Sequence, residues 1–228
     1  LIYKFLFHNI SYKKITFLSI LFSVSNISAQ EQPKPVKNPP VSTEFLVSNR
    51  GVAFQMTTIK KLQSVPKLGF FGVTNILGEW DNKPIKDYMI QANVSYQVIK
   101  GVDVIAGFQA TPPGEFRPSA GIIYSYAKPD LLFVVNPRID LTKNGTFETF
   151  SLVEYRPKIN DNWHYYSRLQ GVYVQTTDFE HHARSYIMAR LGVIYKDINF
   201  GLGTNLDWYG PAKKYHGSVG VFVGAALF

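Results

Sequence analysis

The sequence predicts an all-β fold, a transmembrane antiparallel up-and-down β-barrel of about 12 strands, or 10 if an early segment lies elsewhere. Three observations predict it. From Thr43 to Phe228 the chain is a succession of alternating apolar and polar segments joined by short turn signals, with no amphipathic-helix period. Most segments are long enough to cross a bilayer, which takes about nine to eleven tilted residues, whereas soluble strands run about five or six. Aromatics reach 15% and charged residues only 18%, an aromatic-rich and charge-poor balance.

Residues 1–29 are set apart first. "LIYKFLFHNISYKKITFLSILFSVSNISAQ" has a basic front with Lys4, Lys13 and Lys14, an apolar stretch from Ile15 to Val24, and small residues up to Ser28-Ala29. That order is a secretory signal peptide, and its apolar stretch is short for a membrane span. Without those three lysines the formal charge falls from +8 to +5. No Lys/Arg-rich run or basic helix stripe accompanies this excess, so no nucleic-acid partner is expected. Cysteine is absent, which excludes disulfide frameworks, thiol nucleophiles and Cys-based metal or iron-sulfur sites. Residues 30–42, containing "EQPKPVKNPPVS", lack a period and are proline-rich, as expected of an extended periplasmic lead-in to the barrel at 43–228.

Strands are expected at 43–49, 51–61, 67–79, 87–99, 102–111, 116–127, 131–142, 145–157, 162–176, 182–196, 198–209 and 214–228, the first carrying the weakest pattern. The breaks have turn chemistry: Lys100-Gly101, Pro112-Pro113-Gly114, Lys128-Pro129-Asp130, Asn144-Gly145, Lys196-Asp197 and Gly210-Pro211. An even strand number puts both termini on one side, here the periplasm, and the turns near 82, 113, 144, 179 and 211 on the other. Those expected outer loops include "EWDNKPIKD" and "TTDFEHH", longer than a turn such as "YKDIN".

Alternation alone does not say which face is inside. In "DYMIQANVSYQVIKGVDVIAGFQA", Tyr88, Ile90, Val94, Val104 and Phe108 oppose Gln91, Asn93, Gln97, Asp103 and Gln109. Aromatics decide the direction. Tyr88, Tyr96, Tyr124, Tyr126, Tyr155, Trp163, Tyr165, Tyr195 and Trp208 sit toward strand ends on the apolar faces, as they do at a bilayer interface. The apolar face is therefore expected to meet lipid, so a charge at Val94 should disrupt insertion and one at Asn93 should be tolerated. A soluble periplasmic β-barrel binding protein is the alternative with the faces reversed.

The last segment, "YHGSVGVFVGAALF", ends on Phe228. Here the chain resembles the Gram-negative outer-membrane β-barrel proteins, whose last strand commonly finishes on an aromatic that the barrel-assembly machinery recognises. The resemblance implies residence in the outer membrane, lipid as the outer partner, and that machinery as a partner in biogenesis. The chain departs from the pattern at Ala226, where a larger apolar residue is usual.

Three constellations bear on function. His216-Gly217-Ser218 places an imidazole and a hydroxyl on one face of a strand, with Asp207 on the strand before, and resembles the His-x-Ser motif of outer-membrane phospholipase and lipid A deacylase. Both families follow the Ser with Asn, where this chain has Val219. Glu180-His181-His182 is read as a hydrated loop tip, because adjacent histidines on a strand point to opposite faces; no metal or cofactor is expected. The expected lumen-lining residues are Asp103, Arg138, Asp140, Glu148, Glu154, Arg156, Arg168, Arg184, Arg190 and Asp207. Opposed charges along a narrow barrel suit either a porin-like passage for small polar solutes or a structural membrane component; the alternative is a lipid hydrolase using His216 and Ser218.

Overall fold

The computed structural model describes residues 38–81, 85, 87–112 and 115–228, so the signal segment and residues 30–37 of the lead-in lie outside the described residues. The strands are β1 (Val41–Ser48), β2 (Gly51–Lys61), β3 (Leu68–Glu79), β4 (Asp87–Ile99), β5 (Val102–Thr111), β6 (Glu115–Ala127), β7 (Leu131–Asp140), β8 (Thr146–Tyr155), β9 (Trp163–Thr176), β10 (His182–Tyr195), β11 (Ile198–Tyr209) and β12 (Lys214–Leu227). Each pairs antiparallel with its sequence neighbours, and β1 pairs with β12, which closes the sheet into a 12-strand barrel. Closure leaves no edge strand with unpaired backbone groups.

The weakly patterned first strand is real. Val41 and Ser42, assigned above to the lead-in, already pair with Leu227 and Ala226, so the barrel begins two residues earlier than expected. Two partners stabilise β1, since its residues pair with β12 on one side and with Val52 to Thr57 of β2 on the other. Its alternation sends Phe45 and Val47 outward and buries Glu44, Leu46 and Ser48.

The burial pattern is inverted relative to a soluble protein. Every strand exposes large apolar side chains, as at Val94 (57%), while the polar residues between them are buried, as at Asn93 (2%). Exposed Tyr96, Tyr124, Tyr126, Tyr155, Tyr165 and Tyr195 ring the end that carries the chain termini, and Tyr173, Tyr215 and Phe116 the opposite end. Trp163 packs against Tyr195 at 4.8 Å between ring centroids and extends the first ring.

Turns follow local chemistry. At Lys100-Gly101 the glycine takes φ +83°, and a Cβ there would lie 2.8 Å from the Ser125 carbonyl oxygen, so the tight β4–β5 connection needs a residue without a side chain. Loop length does not tell the two ends of the barrel apart, contrary to expectation. The connection 80–86 at one end is matched by 156–162 at the other, where Ile159 and Asn160 donate back to the Trp163 carbonyl.

Candidate functional site in the barrel interior

The inward faces of the strands build four groups of charges. At the end opposite the termini, Arg184 of β10 donates to Asp207 of β11 at 2.8 Å and pairs with Asp87 of β4 at 3.2 Å. Tyr209 of β11 donates to the same Asp87 at 2.6 Å, and its ring lies under the Arg184 guanidinium at 4.8 Å. Since β4 lies on the wall opposite β10 and β11, these contacts cross the lumen. Just above, in the β1–β2 turn, Arg50 donates to Glu79 at 2.6 Å; burial works against its charge, yet the Glu79 hydrogen bond and charge raise its pKa above the ordinary value.

On the wall made by β6 to β8, Arg138 donates to both oxygens of Glu148 at 2.9 and 2.8 Å, a bidentate pair between adjacent strands. Arg117 donates to Asp140 at 3.1 Å, and Thr146 donates to the same carboxylate at 2.8 Å. The Gln91 amide of β4 lies against the Arg138 guanidinium across the strands between them, and assigning its oxygen to the side facing Arg138 lets it accept from that donor.

Deeper in the barrel, Glu44 of β1 accepts from Arg168 of β9 at 2.9 and 2.8 Å and from Arg190 of β10 at 2.8 Å. Gln55 of β2 donates to Gln170 of β9 at 3.1 Å beside them, and Leu46, Tyr166 and Phe222 pack next to the cluster. Nearer the termini, Glu154 accepts from Tyr166 at 3.0 Å and pairs with Arg156 at 3.3 Å, and Lys61 pairs with Asp103 at 3.5 Å. A cavity of about 490 Å³, counting space open to solvent, lies between the upper and central groups and is lined by Arg50, Asp87, Arg184, Asp207, Glu44 and Arg190.

Of the residues expected in the lumen, Arg138, Asp140, Glu148, Arg168, Arg190 and Asp207 are buried, and Asp103, Glu154, Arg156 and Arg184 are half-buried. Sequence reasoning missed Glu44, Gln55, Asp87, Arg117, Gln170 and Tyr209. The available signal for Glu44 was an acid alternating with Phe45 and Val47 in the first strand.

Two sequence readings need correction. Strict alternation over 182–196 sets His182 on one face with Arg184 and Arg190, and Ala183 on the other. In the structure His182 does not share a face with Arg184, because a β-bulge shifts the β9–β10 register between them. Its imidazole instead packs on Tyr173, contacts Ser185 at 3.0 Å and the Gly210 carbonyl at 2.7 Å, and Ala183 takes the inward position against Val172, Val174, Tyr186 and Met188. Asn93 is packed so tightly, beside Gly107 and with Nδ2 3.5 Å from the Phe71 carbonyl, that a larger charged side chain does not fit there.

The hydrolase constellation is not assembled as a relay. Asp207 and His216 are register partners, and Ser218 is buried on the same inner face. The Asp207 carboxylate is bound by Arg184, His216 packs edge-on against Tyr209 at 5.6 Å, and no hydrogen bond joins His216 to Asp207 or Ser218 among the described residues. Among the described residues no group of three or more His, Asp or Glu is placed to hold a metal ion.

No protein-family model and no curated protein sequence matches this chain. Among solved structures it is similar to the NanC porin, at 11% identity and TM-score 0.47, covering 82% of this chain and 99% of that one. It is also similar to the KdgM porin, solved with a disordered oligogalacturonate, at 10% identity and TM-score 0.45, with coverage of 82% and 99%. Function is therefore read from the two faces of this barrel itself.

Proposed function

We propose that this chain is a small β-barrel of a Gram-negative outer membrane, with both termini in the periplasm, whose polar lumen is a narrow porin-like passage for small polar solutes. The observation that carries this reading is the inversion of the two faces: apolar side chains cover the outside of all twelve strands, and buried charged and amide side chains fill the inside. In water such an exterior would drive association, whereas in a bilayer it is matched by lipid, and the tyrosine rings at the two ends suit the headgroup layers. The amino-terminal export signal read from the sequence supports the membrane.

The bore is narrow because side chains from non-adjacent strands meet inside the barrel. Contacts from β1 to β9 and β10, from β2 to β9, and from β4 to β11 leave room for ions and small hydrophilic molecules at most. Those same contacts favour a second reading, a barrel with a sealed interior and a structural role. Planar-bilayer recordings of the purified protein separate the two. Small discrete conductance steps are expected; sealed bilayers over many verified insertions would leave the structural role. A protein recovered soluble from the periplasmic fraction, without heat-modifiable migration in detergent gels, would overturn both.

A further inference from the structure

We infer that Glu44 is the latch that sets the bore of the lumen, an inference that rests on the passage reading above. Arg168 and Arg190 stand directly opposite each other in the β9–β10 register, both buried and both turned inward. Like charges opposed on neighbouring strands repel, and burial strengthens the repulsion. On their own wall Glu154 lends Arg168 an attractive charge, but among the described residues no carboxylate of that wall is hydrogen-bonded to either arginine. Glu154, opposite Arg168 on β8, is bonded to Tyr166 and Arg156.

The compensating charge comes from β1, three strands round the barrel from β10 and four from β9. Glu44, only 3% exposed, accepts two contacts from Arg168 Nη2 and one from Arg190 Nε, all at 2.8 to 2.9 Å. It thereby ties the first strand to strands three and four places round the barrel. Gly203 makes space for the reach, since a Cβ there would lie 2.8 Å from Arg190 Cδ and 2.9 Å from Leu46 Cδ1. The Gln55–Gln170 hydrogen bond lies alongside but is uncharged, and Arg168 Nη2 also donates to Gln55 at 3.1 Å, so the glutamine bridge leans on the same arginine. Without Glu44 the two guanidinium groups lose their shared carboxylate and keep only neutral acceptors, the Ala189 and Thr204 carbonyls for Arg190 and Gln55 for Arg168, so they separate by repulsion and leave the lumen beside them wider and net positive.

The test is a planar-bilayer recording in potassium chloride of wild type, Glu44→Gln, Glu44→Asp and, as a control, Glu180→Gln in an exposed loop. Glu44→Gln is expected to raise unit conductance at least twofold over wild type, or to open a silent wild type, and to move the reversal potential in a salt gradient toward chloride. Glu44→Asp keeps the charge but is one methylene too short to hold both arginines, so it is expected to raise conductance without the chloride shift. It also carries the test if Glu44→Gln does not give the heat-modifiable folded form. A conducting wild type with folded Glu44 variants unchanged in conductance and selectivity would overturn the latch and leave the passage standing. Wild type and folded variants that insert but all remain silent would overturn the passage, and the latch with it.

Discussion

A single charge placed on each face of β4 reads the orientation of the barrel in energy. Val94 is 57% exposed near the middle of a strand that runs from Asp87 to Ile99, and its neighbours across the sheet are Phe70 and Ala106, so Val94→Arg puts a guanidinium against apolar surface far from either end. At the bilayer midplane an arginine on the lipid face of a barrel costs about 2–4 kcal/mol. At about 1.4 kcal/mol per tenfold, the folded-to-unfolded ratio should fall by roughly thirtyfold to several hundredfold. The matching inward change is Gln91→Glu, three residues away, 5% exposed and adjoining the Arg138 guanidinium, where a carboxylate accepts what the amide oxygen accepts. Folding of both variants into phosphatidylcholine vesicles, titrated with urea and read by heat-modifiable gel migration, should leave Gln91→Glu near wild type and shift Val94→Arg strongly. If Val94→Arg stays within about 0.5 kcal/mol of wild type, or Gln91→Glu loses as much as Val94→Arg, the outside of this barrel does not face lipid.

Other perturbations probe the interior and the loops. Arg138→Met leaves the Glu148 carboxylate without its bidentate partner and should cost about 3 kcal/mol in the same urea titration. Gly203→Val must displace Arg190 or Leu46 and should cost about 1–3 kcal/mol, whereas Gly210→Ala, with open space around it and φ +67°, should cost about 1 kcal/mol through the backbone alone. In the β9–β10 loop the Thr176 hydroxyl and then the Glu180 amide donate to Asp178 and lower its pKa from the ordinary value. A carboxyl group lowered in the folded state contributes stability above its unfolded pKa and loses it as pH falls through the folded one. An NMR titration should therefore find Asp178 below the usual aspartate range, moving up in Thr176→Val; an unchanged value would remove the hydroxyl as the cause. Ser218→Ala should leave phospholipid turnover unchanged, because Asp207 is already bound to Arg184 and His216 makes no bond to Ser218.

How far the sequence could be read depended on the range of each interaction. Turn chemistry such as Lys100-Gly101 acts within a few residues, so both that hairpin and the strand ends around it were legible. The two faces were legible because a period of two leaves every second side chain on the same side, and the interfacial tyrosines gave the direction. The faces failed locally at His182, where a bulge inserts one residue into the β9–β10 ladder and no residue type announces it. Loop length gave little direction, because the connection 156–162, folded back on Trp163, is as long as 80–86 at the other end.

The sequence by itself determined the class of fold, the approximate strand boundaries and which face of most strands turns inward, since these follow from alternation, strand length and turn residues along the chain; the choice of twelve strands over ten came with the pairing of β1 to β12. Only the tertiary structure decided which inward charges meet. Glu44 and Arg168 are 124 residues apart, and Asp87 and Tyr209 are 122 apart. Their pairing depends on strand stagger and barrel closure, which bring non-adjacent strands within hydrogen-bond reach. Alternation could place Glu44 on the inner face, but only closure showed that it meets Arg168 and Arg190.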